Sequence, residues 1–278
     1  MGAGTASSGP EISIVIAVRN SAATLQRALD SVFEQTHPAE LVVVDGASTD
    51  GTVEIIRRND ARIAYQRSEP DHGVYDAWNK ALDHVTGEWI LFLGGDDRLH
   101  APDVLGQVAA ALSVDAGAHR IAFGDIDRYR MNGTVSLRRY KPWDEARRRR
   151  FARGEMIPHT ATFHHRSLFG RFDERFVIAG DYEFLLRELL DHDPLHIPVV
   201  VTDMGAGGLS ERPSARYTLE REVYRARYLH GIVKTPPWRS RSLYRRLGRV
   251  WYDRHLRARV NAARTFASRS RPGTGAGT

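Results

Sequence analysis

The sequence predicts an α/β protein whose parallel sheet continues into a mixed sheet. In the first hundred residues, short apolar runs alternate with segments that carry apolar residues at helical spacing, and the links between them are short. Such alternation is typical of right-handed β-α-β units with a parallel sheet. Further along, an Asn132-Gly133 turn between alternating segments predicts an antiparallel hairpin over residues 127–140.

Composition allows one large core and excludes several chemistries. The 278 residues are 42% hydrophobic, which suits one domain or one domain with an appendage. The chain has no cysteine, which excludes disulfides, thiolate metal sites and a cysteine nucleophile. Residues 1–10 are small and polar and predict a disordered leader. No apolar run approaches the ~20 residues of a membrane-spanning helix, so any membrane association is expected to be peripheral.

The first apolar run, Ile12–Val18, is rich in β-branched residues and predicts a buried strand. It ends at Arg19-Asn20, and Asn20 or Ser21 can cap the helix that follows. Apolar residues recur at helical spacing in that helix: Leu25, Leu29, Val32 and Phe33. The first strand and helix are therefore predicted over residues 12–33.

Two further strands follow. The apolar run at positions 41–44 leads straight into Asp45, and Ser48 and Asp50 are natural caps for the next helix. A third strand over residues 63–66 leads to a loop dense in turn formers and then to a helix. That helix carries Val74, Trp78, Leu82 and Val85 on one face, with Asp76, Asn79 and Lys80 elsewhere.

The strand over residues 89–93 organises the chain, because it is flanked by glycines, reads as buried on both faces and stops at Asp96-Asp97. Side chains beyond a strand's carboxyl end sit where open α/β sheets bind ligands. Two adjacent acids there favour a cation, and a divalent metal carrying a diphosphate meets that need. The alternative is that the acids begin a turn and cap the helix after Pro102. Asn20 and Asp45 at neighbouring strand tips strengthen the prediction of a site.

The second half of the chain supplies a different surface to the sheet. We interpret the basic run at residues 147–150 as a solvated helix face, with phosphate binding as the alternative. Asp181 opens a helix, where an acid usually complements the macrodipole. The Gly-rich loop at residues 205–210 can fold over a ligand. The remaining predicted elements are a helix over residues 102–112 and strands over residues 121–125 and 197–202.

Positive charge is concentrated near the carboxyl terminus. The net charge is +6, but residues 239–271 contain eleven arginines and one acid, a local charge of +10 that leaves −4 for the rest. A helix is predicted over residues 218–229 and a basic amphipathic one over residues 238–269. Such a helix is typical of membrane-surface binding. RNA binding is the alternative, but no stacking platform accompanies the arginines. The apolar face of the second helix comprises Leu243, Leu247, Val250 and Trp251.

Several motifs occur together in the order typical of one family. They are the strand ending in Arg19-Asn20, the VDGASTDGT turn at residues 44–52, the EPDHGVYDAWNK segment at residues 69–80, Asp96-Asp97 and Gly180-Asp181. The set resembles the family 2 glycosyltransferases, which have the GT-A fold and use nucleotide-diphosphate sugars. The resemblance covers residues 11–210, and the segment at residues 69–80 looks most like enzymes that build bacterial surface and capsular polysaccharides.

The resemblance and the basic carboxyl-terminal segment together predict a domain plan and a cellular setting. A GT-A domain with a Rossmann-like nucleotide-binding half would occupy residues 11–215, followed by a basic helical extension at residues 216–271 and a disordered tail at residues 272–278. The enzyme would be cytoplasmic and peripheral on the inner face of the plasma membrane, held to an anionic surface through residues 238–271. No nucleic-acid partner is expected.

The resemblance also implies a donor site for a UDP- or GDP-sugar. Asp45 would hydrogen-bond the base, and the backbone of residues 17–20 would line the same pocket. Asp96 would lie against the ribose or the metal, and Asp97 would be the principal ligand of Mg²⁺ or Mn²⁺. Gly94 or Gly95 stands where the family has its first metal-motif acid. The implied donor-binding positions are Ala17, Arg19, Asn20, Asp45, Asp71, Asp76, Lys80 and Asp96.

Asp181 matches the family's catalytic base. A carboxylate accepts the proton of the acceptor hydroxyl as it attacks the anomeric carbon, and a metal neutralises the departing nucleoside diphosphate. One base opposite the leaving group implies a single displacement with inversion, onto a glycan or lipid-linked acceptor. His159 and His164 are candidates for contact with the acceptor or diphosphate, and the alternative is that they are structural histidines.

Two other functions compete with this interpretation. A glycine in the metal motif would also fit a sugar- or nucleotide-binding protein of the same fold that has lost catalysis, although Asp97 and Asp181 are retained. A sugar nucleotidyltransferase would need a Gly-rich loop bearing Lys or Arg directly after the first strand. The sequence there, Arg19-Asn20-Ser21-Ala22, is not such a loop.

Overall fold

The computed structural model describes residues 11–115, 117–130, 132–206, 208, 215–240, 242–243 and 247. In this part of the chain nine strands form one mixed sheet in the order β3-β2-β1-β4-β8-β6-β9-β5, and β7 pairs with β6. The strands are β1 (Ile12–Val18), β2 (Ala39–Asp45), β3 (Tyr65–Ser68), β4 (Trp89–Gly94), β5 (Arg98–Leu99), β6 (Ile121–Tyr129), β7 (Val135–Arg138), β8 (Thr162–His165) and β9 (Leu195–Met204).

One strand inside the sheet, β8, runs opposite to both of its neighbours. Strands β1 to β4 run parallel to one another, as the alternation of strands and helices predicted. Strand β8 is antiparallel to both β4 and β6 and joins the two halves. The segment that enters β8 therefore lies at the same edge of the sheet as the carboxyl end of β4, where the sequence predicts the site.

Seven helices in the described residues cover the two faces of the sheet. One face packs on α1, α2 and α4. The other packs on α3, α6 and α7, and Ala226 of α7 is buried in that cluster. Helix α7 thus shares the core of the domain, although it begins in the predicted extension. The helices are α1 (Leu25–Phe33), α2 (Thr52–Arg58), α3 (Val74–Leu82), α4 (Val104–Asp115), α5 (Glu145–Phe151), α6 (Gly180–Leu189) and α7 (Arg216–Leu229).

The predicted caps of α1 are wrong, whereas Asp50, one of the two caps predicted for α2, does bond to the start of that helix. Helix α1 begins after Thr24 and has no side-chain cap. Asp50 Oδ1 accepts a hydrogen bond at 3.1 Å from the N–H of Thr52, the first residue of α2. The polar residues also fasten two strand-tip loops to each other, since Asn20 Oδ1 accepts a hydrogen bond from Thr49 N at 3.0 Å. Likewise, the Ala22 N–H donates to Asp50.

The basic run at residues 147–150 is a solvated face only in part. Arg147 is buried, and its guanidinium lies 4.7 Å from the ring centroids of both Phe123 and Tyr140. The arginines at positions 148–150 pair with acids near the surface. The prediction is therefore wrong for Arg147, because its cation–π contacts and its hydrogen bond to the Lys141 carbonyl compensate its burial.

The predicted basic extension is described only near its start. Leu243 and Leu247, two members of its predicted apolar face, are buried with Tyr224 of α7. They therefore pack on protein, and the remainder of that helix lies outside the described residues. Among the helices that the structure describes, none is both long and apolar enough to cross a bilayer.

Candidate functional site

Asp45, at the carboxyl end of β2, is buried and held on several sides. It is 2% exposed, and its carboxylate accepts hydrogen bonds from the Ser48 N–H at 2.9 Å and the Ser68 hydroxyl at 2.6 Å. The Ser48 hydroxyl donates to it as well. These contacts fix the orientation of the carboxylate at a cavity of about 200 Å³ beside it. The residues that line this cavity are Val44, Asp45, Tyr65, Arg67, Glu69, Asp71, Ala77, Lys80, Asp83 and His84.

Aromatic and charged groups shape this smaller cavity. The rings of Tyr65 and His84 stack with centroids 3.5 Å apart. A Cβ added to Gly46 would lie 2.2 Å from Asp71 Oδ2 and 3.4 Å from Arg19 Cδ. The close approach of Asp71 therefore requires glycine at position 46.

Asp76 and Lys80 brace the loop that precedes α3. Lys80 Nζ lies 3.2 Å from Asp76 Oδ2 and 3.3 Å from Glu69 Oε1, and it donates to the Pro70 carbonyl. Asp76 also accepts the His72 N–H at 2.9 Å. Lys80 lines the cavity, whereas Asp76 is not among its lining residues.

A second, larger cavity of about 560 Å³ is lined by two of the other predicted acids, whereas Asp96 is not among its lining residues. Asp97 and Asp181 both line it, together with Trp78 and His159. The structure therefore brings Asp97, Asp181 and His159 together, while Asp45, Asp71 and Lys80 line the smaller cavity. Ala17 pairs with Val44 of β2 on one side and with Gly94 of β4 on the other, between the strand tips.

The adjacent acids after β4 differ in their surroundings. Asp97 is buried, and its two oxygens accept hydrogen bonds from the Thr160 hydroxyl and the Gly205 N–H, both at 2.7 Å. The carboxylate of Asp96 makes no hydrogen bond within the described residues. Burial, and then the charge of Asp96, raise the pKa of Asp97 to about 6.

The space beside Gly94 suits a cation. A Cβ added there would lie 2.8 Å from Asp97 Oδ2 and 3.0 Å from Asp96 Oδ1, so two carboxylate oxygens converge on it. A hard divalent metal prefers such oxygen ligands and would relieve the repulsion between them. The residues present therefore fit Mg²⁺ or Mn²⁺. The carboxylate of Asp96 accepts no hydrogen bond within the described residues and is the more available ligand of the two, whereas the resemblance implies Asp97 as the principal ligand.

Asp181 lies in the first turn of α6 and faces the larger cavity. Its Oδ1 accepts a hydrogen bond from the Tyr182 N–H at 2.8 Å, and the Tyr75 hydroxyl lies 3.4 Å away. Burial raises the pKa of Asp181 to about 6. A carboxylate with that pKa is a stronger base than an exposed one and is still ionised at neutral pH.

Glu222 of α7 supports the approach to Asp181, and the sequence analysis missed it. Its buried carboxylate accepts three consecutive backbone N–H groups, from Val177 at 2.9 Å, Ile178 at 2.8 Å and Ala179 at 2.9 Å. These residues lead directly into α6. No signal in the sequence marks Glu222, because it stands in a helix rich in charged residues.

His159 is a neutral member of an aromatic stack. Its ring lies between Trp78 and Phe92, with centroid distances of 5.0 Å and 5.3 Å. Burial lowers its pKa to about 3. Its Nε2 is buried without a partner in the described part of the chain. His159 therefore offers the cavity a neutral ring.

His164 does not reach either cavity. It is 0% exposed and packs against Phe92, Phe169 and Phe184. Burial lowers its pKa. The predicted contact of His164 with acceptor or diphosphate is corrected accordingly, since its position on β8 places the ring inside the apolar cluster.

A His-Asp-Asp cluster that the sequence analysis did not single out joins β6 and β9. Potential ligand atoms of His100, Asp127 and Asp203 lie within 4.8 Å of one another. Arg98 pairs with Asp203 and Arg139 with Asp127, each at 2.6 Å. Because arginines already compensate both carboxylates, the cluster is explained as an ion-pair network.

Comparison with known proteins identifies the fold and family. Residues 13–176 match the model of glycosyl transferase family 2. An uncharacterised glycosyltransferase of Mycobacterium tuberculosis is 33% identical over 221 residues, covering 75% of this chain and 80% of the relative. A PGL/p-HBAD biosynthesis glycosyltransferase of Mycobacterium bovis is 37% identical over 193 residues, covering 64% of this chain and 69% of the relative.

Solved structures show the same GT-A fold. The S. aureus TarS 1–349 crystal structure superposes with a TM-score of 0.60 at 19% identity, covering 78% of this chain and 65% of that one, so the match spans slightly less than two thirds of TarS 1–349. TarS 1–349 has also been solved with UDP and with UDP-GlcNAc. The mannosyltransferase PcManGT of Pyrobaculum calidifontis, in complex with GDP-Man and Mn²⁺, has a TM-score of 0.58 at 20% identity. The match covers 95% of this chain and 76% of PcManGT. Because the family model matches residues 13–176, more than half of the chain, the chain belongs to glycosyl transferase family 2.

Proposed function

We propose that this glycosyltransferase inverts the anomeric centre as it moves a sugar from a UDP- or GDP-sugar to a hydroxyl of a glycan or lipid-linked acceptor. The observation that carries the proposal is the shared cavity of Asp97 and Asp181. The cavity combines Asp181, a carboxylate of raised pKa, with Asp97, which shares the space beside Gly94 with the adjacent Asp96. Nucleotide sugars bound to structures of the same fold support this class of donor.

The smaller cavity is the proposed nucleotide site. Asp45, held by Ser48 and Ser68, would hydrogen-bond the base, as the family resemblance implies. Arg19, next to Gly46, and Asn20, at the tip of β1, would line the path to the diphosphate. Asp71, Asp76 and Lys80 would hold the donor through the loop before α3.

Asp96 and Asp97 are the proposed ligands of Mn²⁺ or Mg²⁺. When bound, the ion would neutralise the nucleoside diphosphate as it leaves. The hydrogen bonds from Thr160 and Gly205 fix Asp97, and the carboxylate of Asp96 is less engaged. The protein's own contribution is thus an oriented pair of carboxylates at the end of β4.

Asp181 is the proposed general base. As the acceptor oxygen attacks the anomeric carbon, the carboxylate takes its proton, and the bond from that carbon to the diphosphate oxygen breaks. His159 would present its neutral ring to a sugar or diphosphate in the cavity. Tyr75, Gly180 and Glu222 would act through Asp181 by holding its position.

The chain divides into two proposed parts. We place the glycosyltransferase domain at residues 11–215 and a basic extension at residues 216–271, whose first helix, α7, packs into the core of that domain. The termini predicted at residues 1–10 and 272–278 lie outside the described residues. A cytoplasmic enzyme peripheral to the inner face of the plasma membrane fits a basic extension. Leu243 and Leu247 are buried with Tyr224 and are therefore not part of such a contact, and the residues after Leu247 lie outside the described part of the chain.

A panel of sugar nucleotides tests the function directly. We expect Mn²⁺- or Mg²⁺-dependent release of one nucleoside diphosphate, and we expect Asp181→Asn to bind that donor but transfer the sugar at least 100-fold more slowly. The second candidate function, an inactive sugar- or nucleotide-binding protein, is favoured by the glycine at position 94. Donor binding without turnover in any metal would support that alternative and contradict the proposal.

A further inference from the structure

The β6–β7 hairpin places two arginines in the wall of the larger cavity. Ile126, Arg128 and Arg138 all line that cavity. Across the hairpin, Ile126 pairs with Arg138, and Arg128 pairs with Ser136. Residues directly opposite in an antiparallel pair project to the same side of the sheet, as do residues two apart along a strand. Arg128 and Arg138 are therefore diagonal neighbours on the face of the hairpin that belongs to the cavity.

The arginine next in sequence projects to the other face and has a different role. Arg139 pairs with Asp127 at 2.6 Å. Arg138, in contrast, is exposed and makes no hydrogen bond or ion pair within the described residues. Glu155 also lines the cavity, but it pairs with Arg150 at 3.1 Å. The hairpin thus directs the charge of Arg138 at the contents of the cavity, while its neighbour supports the fold.

The spacing of the two arginines favours an anion between them. Diagonal neighbours of an antiparallel pair have Cα atoms about 7–8 Å apart, which is within reach of long side chains, and like charges so placed repel each other. A guanidinium presents a planar fork of N–H donors that matches the oxygens of a phosphate or a carboxylate. An anionic group bound by Arg128 and Arg138 would therefore relieve their repulsion and satisfy their donors.

The position of the hairpin in the sheet separates it from the proposed nucleotide site. Residues of β2, β3, α3 and their adjoining loops line the smaller cavity. Along the sheet, β4 stands between β2 and β6. A donor that runs from the smaller cavity to a metal at the end of β4 would therefore end short of the hairpin. Asp181 lines the same cavity as the two arginines, so an acceptor held at that base can reach them.

We propose that the acceptor of this glycosyltransferase carries an anionic group, a phosphate or a carboxylate, and that Arg128 and Arg138 bind it while the acceptor hydroxyl lies at Asp181. The two arginines then select the acceptor and take no part in holding the donor. This inference rests on the proposed function, because it assigns the acceptor class of the same cavity.

Binding of small probes to the full chain tests the anion site. With Mn²⁺ and the preferred nucleoside diphosphate filling the donor site, ligand-observed NMR titrations compare glucose 1-phosphate, glucuronate and methyl glucoside. We expect one anionic probe to bind about tenfold or more tightly than the neutral one, and the better probe identifies phosphate or carboxylate as the group. Arg138→Gln should abolish this preference. Arg130→Gln, an equal loss of charge in the same hairpin at a position that does not line the cavity, should keep it.

Nucleotide affinity distinguishes an acceptor role from a donor role. Arg138→Gln should leave the Kd of the nucleoside diphosphate with Mn²⁺ unchanged, and a loss of about tenfold would assign the arginine to the donor diphosphate and overturn the inference. Equal binding of charged and neutral probes would overturn it as well, while metal-dependent release of nucleoside diphosphate in the same preparation would uphold the proposed function. Absence of that release with every donor would overturn the proposed function, and the acceptor assignment with it.

Discussion

At the scale of single residues, burial decides the chemistry of the acids. Asp181 and Asp97 have pKa values raised to about 6, and burial is the largest cause for both. Their neighbours differ, because Asp181 is bonded by the start of its own helix, whereas Asp97 has a like charge beside it. The first arrangement suits a base, and the second suits a metal ligand.

The pH dependence of transfer follows from Asp181. A base must be ionised, so we expect kcat to be constant at pH 8 and to fall as the pH decreases through about 6, tenfold per unit below it. Initial rates at saturating donor and metal between pH 5 and pH 8 measure this limb. The limb should be missing from the residual activity of Asp181→Asn; an unchanged limb in that variant would assign the titration to another group.

The Mn²⁺ concentration that the enzyme needs should depend on Asp96 more than on the loss of one negative charge elsewhere on the surface. We expect Asp96→Asn to raise the Mn²⁺ concentration for half-maximal rate by about tenfold or more, because it removes the less engaged carboxylate of the pair. Asp60→Asn, which changes an exposed acid in the turn after α2, is the control. An equal metal response in both variants would contradict the assignment.

Glycine at position 180 is required by its neighbour. A Cβ there would lie 2.7 Å from the Tyr75 ring, whereas a Cβ at Gly170 meets nothing within 4 Å. We expect Gly180→Ala to cost about 1–3 kcal/mol of unfolding free energy and to lower kcat by displacing Tyr75 from Asp181. Gly170→Ala should change neither quantity. Urea unfolding and initial rates provide the comparison.

At the scale of elements, α7 supports Asp181, the proposed base, through the segment that leads into α6. Glu222 binds the three N–H groups that lead into α6, and α7 buries Ala226 in the domain core. We expect Glu222→Gln to reduce the free energy of unfolding by about 1–3 kcal/mol. Its negative charge also raises the pKa of Asp181, so the acid limb of kcat should move to lower pH.

The control for this prediction is Glu54→Gln, which changes an exposed acid on α2. It should alter neither stability nor the pH profile. If Glu222→Gln lost stability but kept the wild-type acid limb, Glu222 would support the fold without influencing the base.

Local sequence patterns predicted elements better than their connections. Strand β1 occupies the predicted residues, because an unbroken β-branched run leaves little choice. Strand β3 begins at Tyr65, later than predicted, because Ile63 closes a short helical turn through its N–H to the Asp60 carbonyl. Asn20 has the chemistry of a cap but bonds across the chain to Thr49. Asp50 bonds both to Thr52 at the start of α2 and across the chain to Ala22. Propensity alone could not show these long-range partners.

At the scale of the whole molecule, the site divides into two cavities on neighbouring strand tips. Asp45, Asp97 and Asp181 could be chosen from motifs, because each follows a recognisable strand or helix boundary. Their division between cavities, and the roles of Tyr75 and Glu222, depend on packing between distant segments and leave no periodic signal. The interior position of His164 likewise depends on which way β8 faces.

Ligand binding should stabilise the whole domain. We expect the correct nucleoside diphosphate, with Mn²⁺, to raise Tm, and a concentration of 100 times Kd corresponds to about 2.7 kcal/mol of stabilisation. Comparing UDP with GDP in a thermal-shift assay identifies the base. Asp45→Asn should reduce the response to the preferred nucleotide, and a full response in that variant would contradict the proposed role of Asp45.

The antiparallel direction of β8 allows the larger cavity to change in sequence while the sheet stays the same. Because β8 runs antiparallel to β4, the segment that reaches over the carboxyl end of β4 comes before β8 in the chain, and it carries His159 and Thr160. Substitutions in that short segment would change the lining of the larger cavity while every strand kept its partner. We therefore expect related chains to differ in substrate through this segment without any change of strand order.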